Sequence, residues 1–156
     1  MILIISKNDV VFDERSFNGV WCKLSYSNHP KGCPNYGKKK TCPPFTEKYY
    51  KKIDPPYFLI IQEFDIESHA KKMKKAHPSW SESQCRNLLY WQKGVVKKSK
   101  EKAYDFAKSL GNEFIVLEVP EANGVHVFQT CRNVCVTIEP NPKKIIRKVM
   151  IVGKRI

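Results

Sequence analysis

Runs of apolar, β-prone residues predict the strands of this protein. Short runs occupy residues 1–5 and 10–12, and "YFLIIQEF" at 57–64 is a continuous run of the kind that forms a buried strand. "EFIVLEV" at 113–119 has the same character, and "KKIIRKVMIVG" at 143–153 predicts a last strand. The pattern therefore predicts strands that are spread along the whole chain.

Capping residues and helical spacing predict helices between these strands. Asp65 can cap a helix that runs to about Ala76, after which "HP" ends it. A short helix is predicted over residues 46–53, where "DPP" would end it. Residues 124–134 fit either a helix or a strand, so the residues alone leave that segment open.

The longest predicted helix begins after Ser81. "SESQ" has the form of a capping box, with Gln84 three residues after Ser81. Apolar residues then recur near helical spacing as far as Gly111, which supplies a C-terminal stop. Gly94 weakens this helix in mid-course and is the predicted position of a bend.

The alternation of strands and helices predicts a small α/β fold. A chain of 156 residues is the size of one domain, and its hydrophobic content of 42% is typical of a globular protein. No repeat or long linker divides the chain. We therefore predict an α/β class and a small single-domain sandwich of mixed sheet and helices over 1–156.

One long segment does not fit regular structure. Residues 13–45 are mostly irregular, and "HPKGCPNYGKKKTCPP" at 29–44 contains proline and glycine at a density that neither a helix nor a strand tolerates. A loop of this length inside a compact domain is either functional or held by a bound group. Because Cys33 and Cys42 lie in this stretch and Cys22 shortly before it, we predict a long cysteine-rich, metal-held loop near the N-terminus.

The other three cysteines have different contexts. Cys85 lies on the apolar stripe of the longest predicted helix, where a free cysteine behaves as a small hydrophobic residue. Cys131 and Cys135 are spaced i, i+4 and would share one face if their segment is helical. We therefore expect Cys85 to fill the core, whereas Cys131 and Cys135 are candidates for a further metal ligand.

The cellular compartment bears on how these cysteines are used. The opening "MILII" is too short for the apolar part of a signal peptide, and no run approaches the roughly 20 apolar residues of a membrane span. These features predict a cytoplasmic protein without membrane contact, whose cysteines are free, metal-bound or catalytic. A hyperthermophile would be the exception, since intracellular disulfides occur there and the lysine-rich composition fits one.

The charge is strongly positive and unevenly distributed. The chain has 28 Lys and Arg against 15 Asp and Glu, a net charge of +13. The excess lies in two basic segments, residues 21–52 and 71–108. Such segments favour a polyanionic partner such as RNA, or an anionic substrate, and a lysine face that only maintains solubility is the alternative. The sequence does not indicate an oligomeric state.

Several motifs resemble a known family. "VFDER" at 11–15, Cys22, "CPNYGK" at 33–38 and "CPP" at 42–44 are similar to the signature of a cysteine-rich family of predicted metal-binding proteins, domain of unknown function 2284, from archaea and anaerobic bacteria. "PEANGVHVFQTCRN" at 120–133 resembles the "EA-x-G-V" segment with which that family enters a helix near its C-terminus. The resemblance covers most of the chain and implies a metal site rather than a particular activity.

The chain also departs from the family. Many members carry a second group of cysteines just before the C-terminal segment, whereas this chain has "LEVPEANG" there, without cysteine. A site in this protein must therefore be built around Cys22, Cys33 and Cys42. The resemblance also favours a helix over the open segment 124–134.

Thiolate ligation by these three cysteines suits either zinc or an iron–sulfur cluster. Ten and then eight residues separate them, so the Cys-x₂₋₄-Cys pairs of zinc ribbons are missing. This dispersed spacing, the two Cys-Pro steps and the anaerobic distribution of the family favour a [4Fe–4S] cluster on Cys22, Cys33 and Cys42 with one iron open. His29 would instead complete a Cys₃His zinc site, so it joins Cys131 and Cys135 as a candidate fourth ligand.

Two classes of function follow from this site. In an enzyme, the open iron binds a sulfur or oxygen atom of the substrate as a Lewis acid, as in sulfur insertion into or removal from a nucleobase. Asp13 and Glu14 are weak candidates for acid–base groups, and capping of the loop by their carboxylates is the favoured explanation. Neighbouring lysines would hold an anionic substrate such as an RNA phosphate: Lys23, Lys31, Lys38, Lys39 and Lys40.

In the second class, the protein is a basic nucleic-acid-binding module whose zinc or iron–sulfur site only holds the loop. Aromatic side chains among the lysines would then stack on bases, although ordinary packing explains each of them singly. These residues are Trp21, Tyr26, Tyr36, Tyr49, Tyr50, Trp80, Tyr90 and Trp91.

Overall fold

A four-stranded sheet forms the centre of the protein in the computed structural model, which describes residues 1–25 and 29–156. The strands are β1 (Ile2–Ile5), β2 (Ile53–Asp65), β3 (Phe114–Leu117) and β4 (Ile145–Arg155). Their order in the sheet is β1-β2-β4-β3, and each neighbouring pair is antiparallel. The long strands β2 and β4 therefore lie at the centre, and β1 and β3 lie at the edges.

The helices connect and cover these strands. The α-helices are α1 (Glu14–Phe17), α2 (Ile66–Ala76), α3 (Glu82–Cys85), α4 (Gln92–Leu110) and α5 (Val127–Asn133). Short 3₁₀ helices occupy Lys7–Asp9, Trp21–Lys23, Tyr49–Lys51, Leu88–Tyr90 and Pro120–Asn123. In the part of the chain that is described, no helix has the length and apolar content needed to cross a membrane.

The central strands bury side chains on both faces of the sheet. Because successive residues of a strand point to opposite faces, Leu59 and Ile61 of β2 enter one core cluster and Ile60 enters the other. On the second face, α4 packs Ala103 and Ala107 against the sheet. The first face is covered by α5 and by the segments that flank the cysteine-rich region, so this region is anchored to the main core.

The structure confirms the predicted α/β class of a single small domain, with strand pairings that are all antiparallel. The predicted cap at Asp65 is present, since its carboxylate accepts a hydrogen bond from the Ser68 backbone N–H at 2.8 Å. The open segment 124–134 contains helix α5. The predicted run 10–12 contributes only an isolated bridge between Phe12 and Val125.

The predicted helix over 46–53 is wrong. Only the 3₁₀ turn Tyr49–Lys51 forms there, and β2 begins at Ile53, before Pro55 and Pro56. The two prolines are tolerated because the register of β2 against β4 is interrupted between Asp54 and Phe58, where no regular ladder needs their missing N–H groups.

The longest predicted helix is also divided, at a different place from the predicted bend. The capping box at Ser81 exists, but α3 ends at Cys85 and α4 starts at Gln92, while Gly94 lies inside α4. Between them, the Asn87 side chain accepts a hydrogen bond from the Leu89 backbone N–H at 3.0 Å. A side chain that caps the backbone locally competes with helical hydrogen bonding, which accounts for the break.

Candidate metal centre and anion cleft

A short turn near the C-terminus positions the start of the cysteine-rich region. This anchor turn comprises residues 120–124, the 3₁₀ helix Pro120–Asn123 and Gly124. The Asp13 backbone N–H donates to the Gly124 carbonyl oxygen at 2.8 Å, and the His126 N–H donates to the Val11 carbonyl oxygen at 2.7 Å. Residues 11–13, which lead into the cysteine-rich region, are thus fixed against the anchor turn.

The same turn fixes the end of that region. The Thr46 hydroxyl donates to the Ala122 carbonyl oxygen at 2.7 Å. The Asn123 side-chain amide donates to the Glu47 carbonyl oxygen, also at 2.7 Å. Both ends of the cysteine-rich region therefore meet at one anchor, so the two sequence blocks that carry the family resemblance are neighbours in space.

Within this frame, backbone hydrogen bonds bring the three cysteine segments together. The Cys33 N–H donates to the Cys22 carbonyl oxygen at 2.7 Å, and the Gly37 N–H donates to the Pro43 carbonyl oxygen, next to Cys42, at 2.9 Å. No helix or extended strand lies among the described residues between Lys23 and Tyr49, which agrees with the predicted irregular structure. The region is thus shaped by turns.

The three thiols share one environment. Cys22, Cys33 and Cys42 are all free and partly exposed, so an exogenous metal can reach them. Burial raises the pKa of the Cys22 thiol, with further contributions from the charges of Cys33, Cys42 and Glu121. Such contributions require the groups to lie near one another, and mutual repulsion of thiolates is relieved when a cation binds between them.

The donor set suits a soft metal, but its geometry does not form a single-ion site. Among residues 1–25 and 29–156, no group of three or more His, Cys, Asp or Glu side chains is arranged to hold one metal ion. Zinc requires its ligands to converge on one point at about 2.0–2.3 Å, whereas each thiolate of an iron–sulfur cluster binds a different iron. Both the cluster and zinc stay predictions.

The three candidate fourth ligands lie in different surroundings. Cys131 is fully buried in the core cluster, where burial, with a contribution from Glu121, raises the pKa of its thiol to about 11. Cys135 is exposed and follows the end of α5. His29 lines a surface depression of about 330 Å³ together with Cys33. The assignment of a fourth ligand to any of them stays a prediction.

Cys85 occupies the position expected of a core residue. It is a free thiol with 2% of its surface exposed, at the end of α3. All six cysteines belong to the described part of the chain and none forms a disulfide. The arrangement agrees with the expectation that Cys85 fills the core.

Asp13 has a structural role as the N-cap of α1. Its carboxylate accepts hydrogen bonds from the Arg15 backbone N–H at 3.1 Å and the Ser16 hydroxyl at 2.8 Å. Partial burial opposes ionisation, but bonds from Ser16, Trp21 and Arg15 outweigh it and lower the pKa of Asp13 to about 2. Glu14 is exposed and pairs with Lys48 at 3.4 Å. These contacts favour the capping interpretation for Asp13.

The two basic segments meet at the edge of the sheet beside β3. Glu118 lies between them: its carboxylate is 2.6 Å from the Lys100 ammonium and accepts a hydrogen bond from the Tyr104 hydroxyl at 2.9 Å. Burial opposes its ionisation, but Lys100 and Tyr104, together with the charge of Lys39, lower the pKa of Glu118. Lys39 of the cysteine-rich region and Lys100 of α4 thus face a common carboxylate.

A cleft of about 410 Å³ opens at this contact. Its lining includes Lys40 and Thr41 from the cysteine-rich region, Tyr104 from α4 and Glu118 after β3. The five lysines predicted to bind an anion (Lys23, Lys31, Lys38, Lys39 and Lys40) are all exposed. An anion that enters the cleft would therefore meet Lys40 two residues from Cys42.

Sequence reasoning missed Glu118, Tyr104 and Glu121. Glu121 lies in the quoted "PEANG" motif, yet nothing local indicates that its carboxylate contributes to the raised pKa of the Cys22 thiol. Glu118 and Tyr104 belong to separate elements, so only their pairing in space reveals the cleft.

Comparison of the chain with protein-family models, curated proteins and solved structures finds no match.

Proposed function

We propose that the protein binds an iron–sulfur cluster, [4Fe–4S], through Cys22, Cys33 and Cys42 and acts on an anionic substrate in the cytoplasm. The reaction class is sulfur chemistry or related non-redox chemistry, with RNA or a nucleobase as the substrate class. The observation that carries the proposal is geometric. Backbone hydrogen bonds from Cys33 to Cys22 and from Gly37 to Pro43, next to Cys42, bring the three cysteine segments together within a region held at both ends by the anchor turn.

Each group of residues has a defined task in this proposal. The bound cluster would supply a Lewis-acidic iron for a sulfur or oxygen atom of the substrate. The lysines around the cysteines attract the anion, and Lys40 lines the cleft into which part of it fits. Tyr104 presents a half-exposed ring in the same cleft, on which a base can stack.

The first prediction concerns metal content. Protein purified without oxygen is expected to be brown and to contain about four irons and four sulfides per chain, because three thiolates suit that cluster. Chemical analysis of iron, sulfide and zinc on the same sample checks this. Colourless protein with one zinc per chain would contradict the cluster and support a structural metal.

A second candidate is a nucleic-acid-binding module with a purely structural zinc or iron–sulfur site. Exposed aromatic side chains within the basic segments favour it, since Trp21, Tyr50 and Tyr90 are 50%, 42% and 52% exposed. Aromatic rings that face solvent beside lysines are suited to stacking on unpaired bases. This function needs neither an open iron nor a reaction.

The second prediction tests binding through salt dependence. Affinity for single-stranded RNA is expected to fall by about tenfold or more between about 50 and 200 mM salt, because neutralising about three phosphates releases their counterions. Replacing Lys39 and Lys40 by Gln should flatten this dependence. Lys7→Gln, outside both basic segments, is the matched control. Salt-independent binding, or none at about 50 mM salt, would identify the lysines as a solvated face.

A further inference from the structure

A pocket of about 250 Å³ lies beside the start of α4, and all of its lining residues fall between positions 62 and 98. Because alternate residues of a strand point to the same face, Gln62 and Phe64 of β2 lie on the face of the sheet that carries Ile60. Ile60 packs in the core cluster that α4 covers. The pocket is therefore enclosed between the end of β2 and the first turns of α4, away from the cysteine-rich region.

Aromatic rings line this pocket. The rings of Phe64 and Trp91 are stacked, with centroids 5.2 Å apart and planes 17° from parallel, and the Trp91 indole N–H donates to the Arg86 carbonyl oxygen at 3.1 Å. Tyr90 also lines the pocket, has 52% of its surface exposed, and contacts Trp80 with ring centroids 5.2 Å apart. An exposed ring that packs against another ring is held in place and offers a face on which a planar ligand can stack.

The polar groups of the pocket suit a base that carries a phosphate. Lys98 lines the pocket, is exposed, and forms no ion pair in the part of the chain that the structure describes. The carboxylate of Glu63, also in the lining, is neutralised by Arg147 at 2.8 Å. Gln62 donates one amide N–H to the Glu63 carbonyl oxygen at 2.9 Å, which leaves its second N–H and its amide oxygen for the edge of a ligand.

Gly94 keeps the pocket open. It is exposed inside α4, and nothing lies within 4 Å of the position where its Cβ would be. Residues three and four apart share one side of a helix, so Gly94 lies between Trp91 and Lys98 on the side that lines the pocket. Glycine is a poor helix former, and here its missing side chain leaves space beside both neighbours.

Size and charge indicate what fills this space. Sites for drug-sized ligands have volumes of about 300–1,000 Å³, so a smaller pocket suits a single heterocycle. The pocket also belongs to the second basic segment, residues 71–108, which favours a polyanion over a neutral aromatic compound. A nucleobase within a nucleic acid strand meets both conditions.

We propose that this base pocket binds one unpaired base of single-stranded RNA. The base stacks on Tyr90, its edge pairs with Gln62, and the adjoining phosphate lies on Lys98. The inference rests on the proposed function for the class of ligand, but it uses no cysteine and needs no metal. The residues that carry it are Gln62, Phe64, Tyr90, Trp91, Gly94 and Lys98.

The first test fills the pocket without destabilising the fold. Gly94→Leu is expected to weaken binding of single-stranded oligoadenylate to the full chain at least about tenfold, measured by quenching of tryptophan fluorescence. Adenine is the probe because a glutamine amide pairs with its N6 and N7. The unfolding midpoint should not fall, since leucine is the better helix former and has room there. Gly94→Ala, which adds only a methyl group, is the matched control and should bind within about twofold of wild type.

The second test removes the groups that hold the base and its phosphate. Tyr90→Ala is expected to weaken binding about tenfold, because stacking on one ring contributes that much. Lys98→Gln should weaken binding and lower its salt dependence by about one phosphate contact. Lys97→Gln, the same change at a neighbour outside the pocket lining, should have a smaller effect on both. Ribose 5-phosphate, which carries a phosphate and no base, should not displace the oligoadenylate.

The outcomes separate this inference from the proposed function. Unchanged binding in Gly94→Leu and Tyr90→Ala, with weaker binding in Tyr104→Ala, would move the base to the anion cleft and leave the proposed function intact. Displacement by ribose 5-phosphate as effective as by adenosine 5′-monophosphate would overturn base recognition. Adenosine 5′-monophosphate that binds as tightly as the oligoadenylate would replace RNA by a free nucleotide. Wild-type protein that binds neither would overturn the inference, while its iron and sulfide content tests the cysteine site independently.

Discussion

Serine at position 33 or 42 is expected to abolish metal retention, with bound iron or zinc falling from stoichiometric to near zero. Soft metals bind thiolates strongly and neutral hydroxyls weakly, so each substitution removes a ligand while keeping nearly the same shape. The backbone can stay as it is, because the Cys33 N–H bond to Cys22 does not involve the side chain. Metal analysis of the purified Cys33→Ser and Cys42→Ser variants measures this loss.

Cys85→Ser is the matched control, since it makes the same atomic change at a buried thiol outside the site. It should keep its metal and lose roughly 1–3 kcal/mol of unfolding free energy, because a hydroxyl replaces a thiol that is only 2% exposed. The unfolding midpoint would fall by about 2–4 °C for each kcal/mol in a domain of this size. A Cys85→Ser variant without metal beside a Cys33→Ser variant that retains it would reverse the assignment of ligand and core cysteines.

Alanine at position 32 is expected to disrupt the cysteine site through the backbone alone. Gly32 has a φ of +84°, and a Cβ added there would collide with the carbonyl oxygen of Cys22. That oxygen accepts the hydrogen bond from Cys33, so the collision pushes two of the three cysteine segments apart. The left-handed conformation and the clash together should cost about 2–4 kcal/mol and greatly reduce metal retention.

Gly37→Ala provides the comparison for this prediction. Gly37 also has a positive φ, +68°, but nothing lies within 4 Å of the position where its Cβ would be. The substitution should therefore cost only the conformational term of about 1–2 kcal/mol, with metal still bound. Thermal unfolding and metal analysis of both variants check the difference. Equal losses in the two variants would show that the Cys22–Cys33 contact does not shape the site.

Local patterns located most of the regular elements. The apolar run 57–64 lies inside β2, and the cap at Asp65 begins α2 where it was expected. These predictions succeed because burial of a continuous apolar run and capping by a neighbouring side chain act within a few residues. Dependence on local pattern also explains why the prediction of a continuous helix through residues 86–91 is wrong. Leu88 and Leu89 have the spacing of apolar residues on a buried helix face, although both side chains are exposed in the structure.

Strand pairing depended on contacts that no local pattern contains. β2 follows β1 by about fifty residues and pairs with it, and it pairs again with β4 near the C-terminus. Many pairings are compatible with the same apolar runs. The choice among them depends on packing α4 on one face of the sheet, and α5 with the segments that flank the cysteine-rich region on the other. The prolines of "DPP" became part of a strand for the same reason, because the pairing places them at an irregularity.

The sequence by itself determined the elements and the type of chemistry: an α/β domain, a region too rich in proline and glycine for regular structure, and three cysteines within it. Only the tertiary structure decided that the anchor turn holds both ends of this region, that Lys40 and Tyr104 line one cleft, and that Glu121 contributes to the raised pKa of the Cys22 thiol. Glu121 and Cys22 are far apart along the chain. Their proximity depends on the packing of the whole domain, whereas composition and spacing describe only neighbours in sequence.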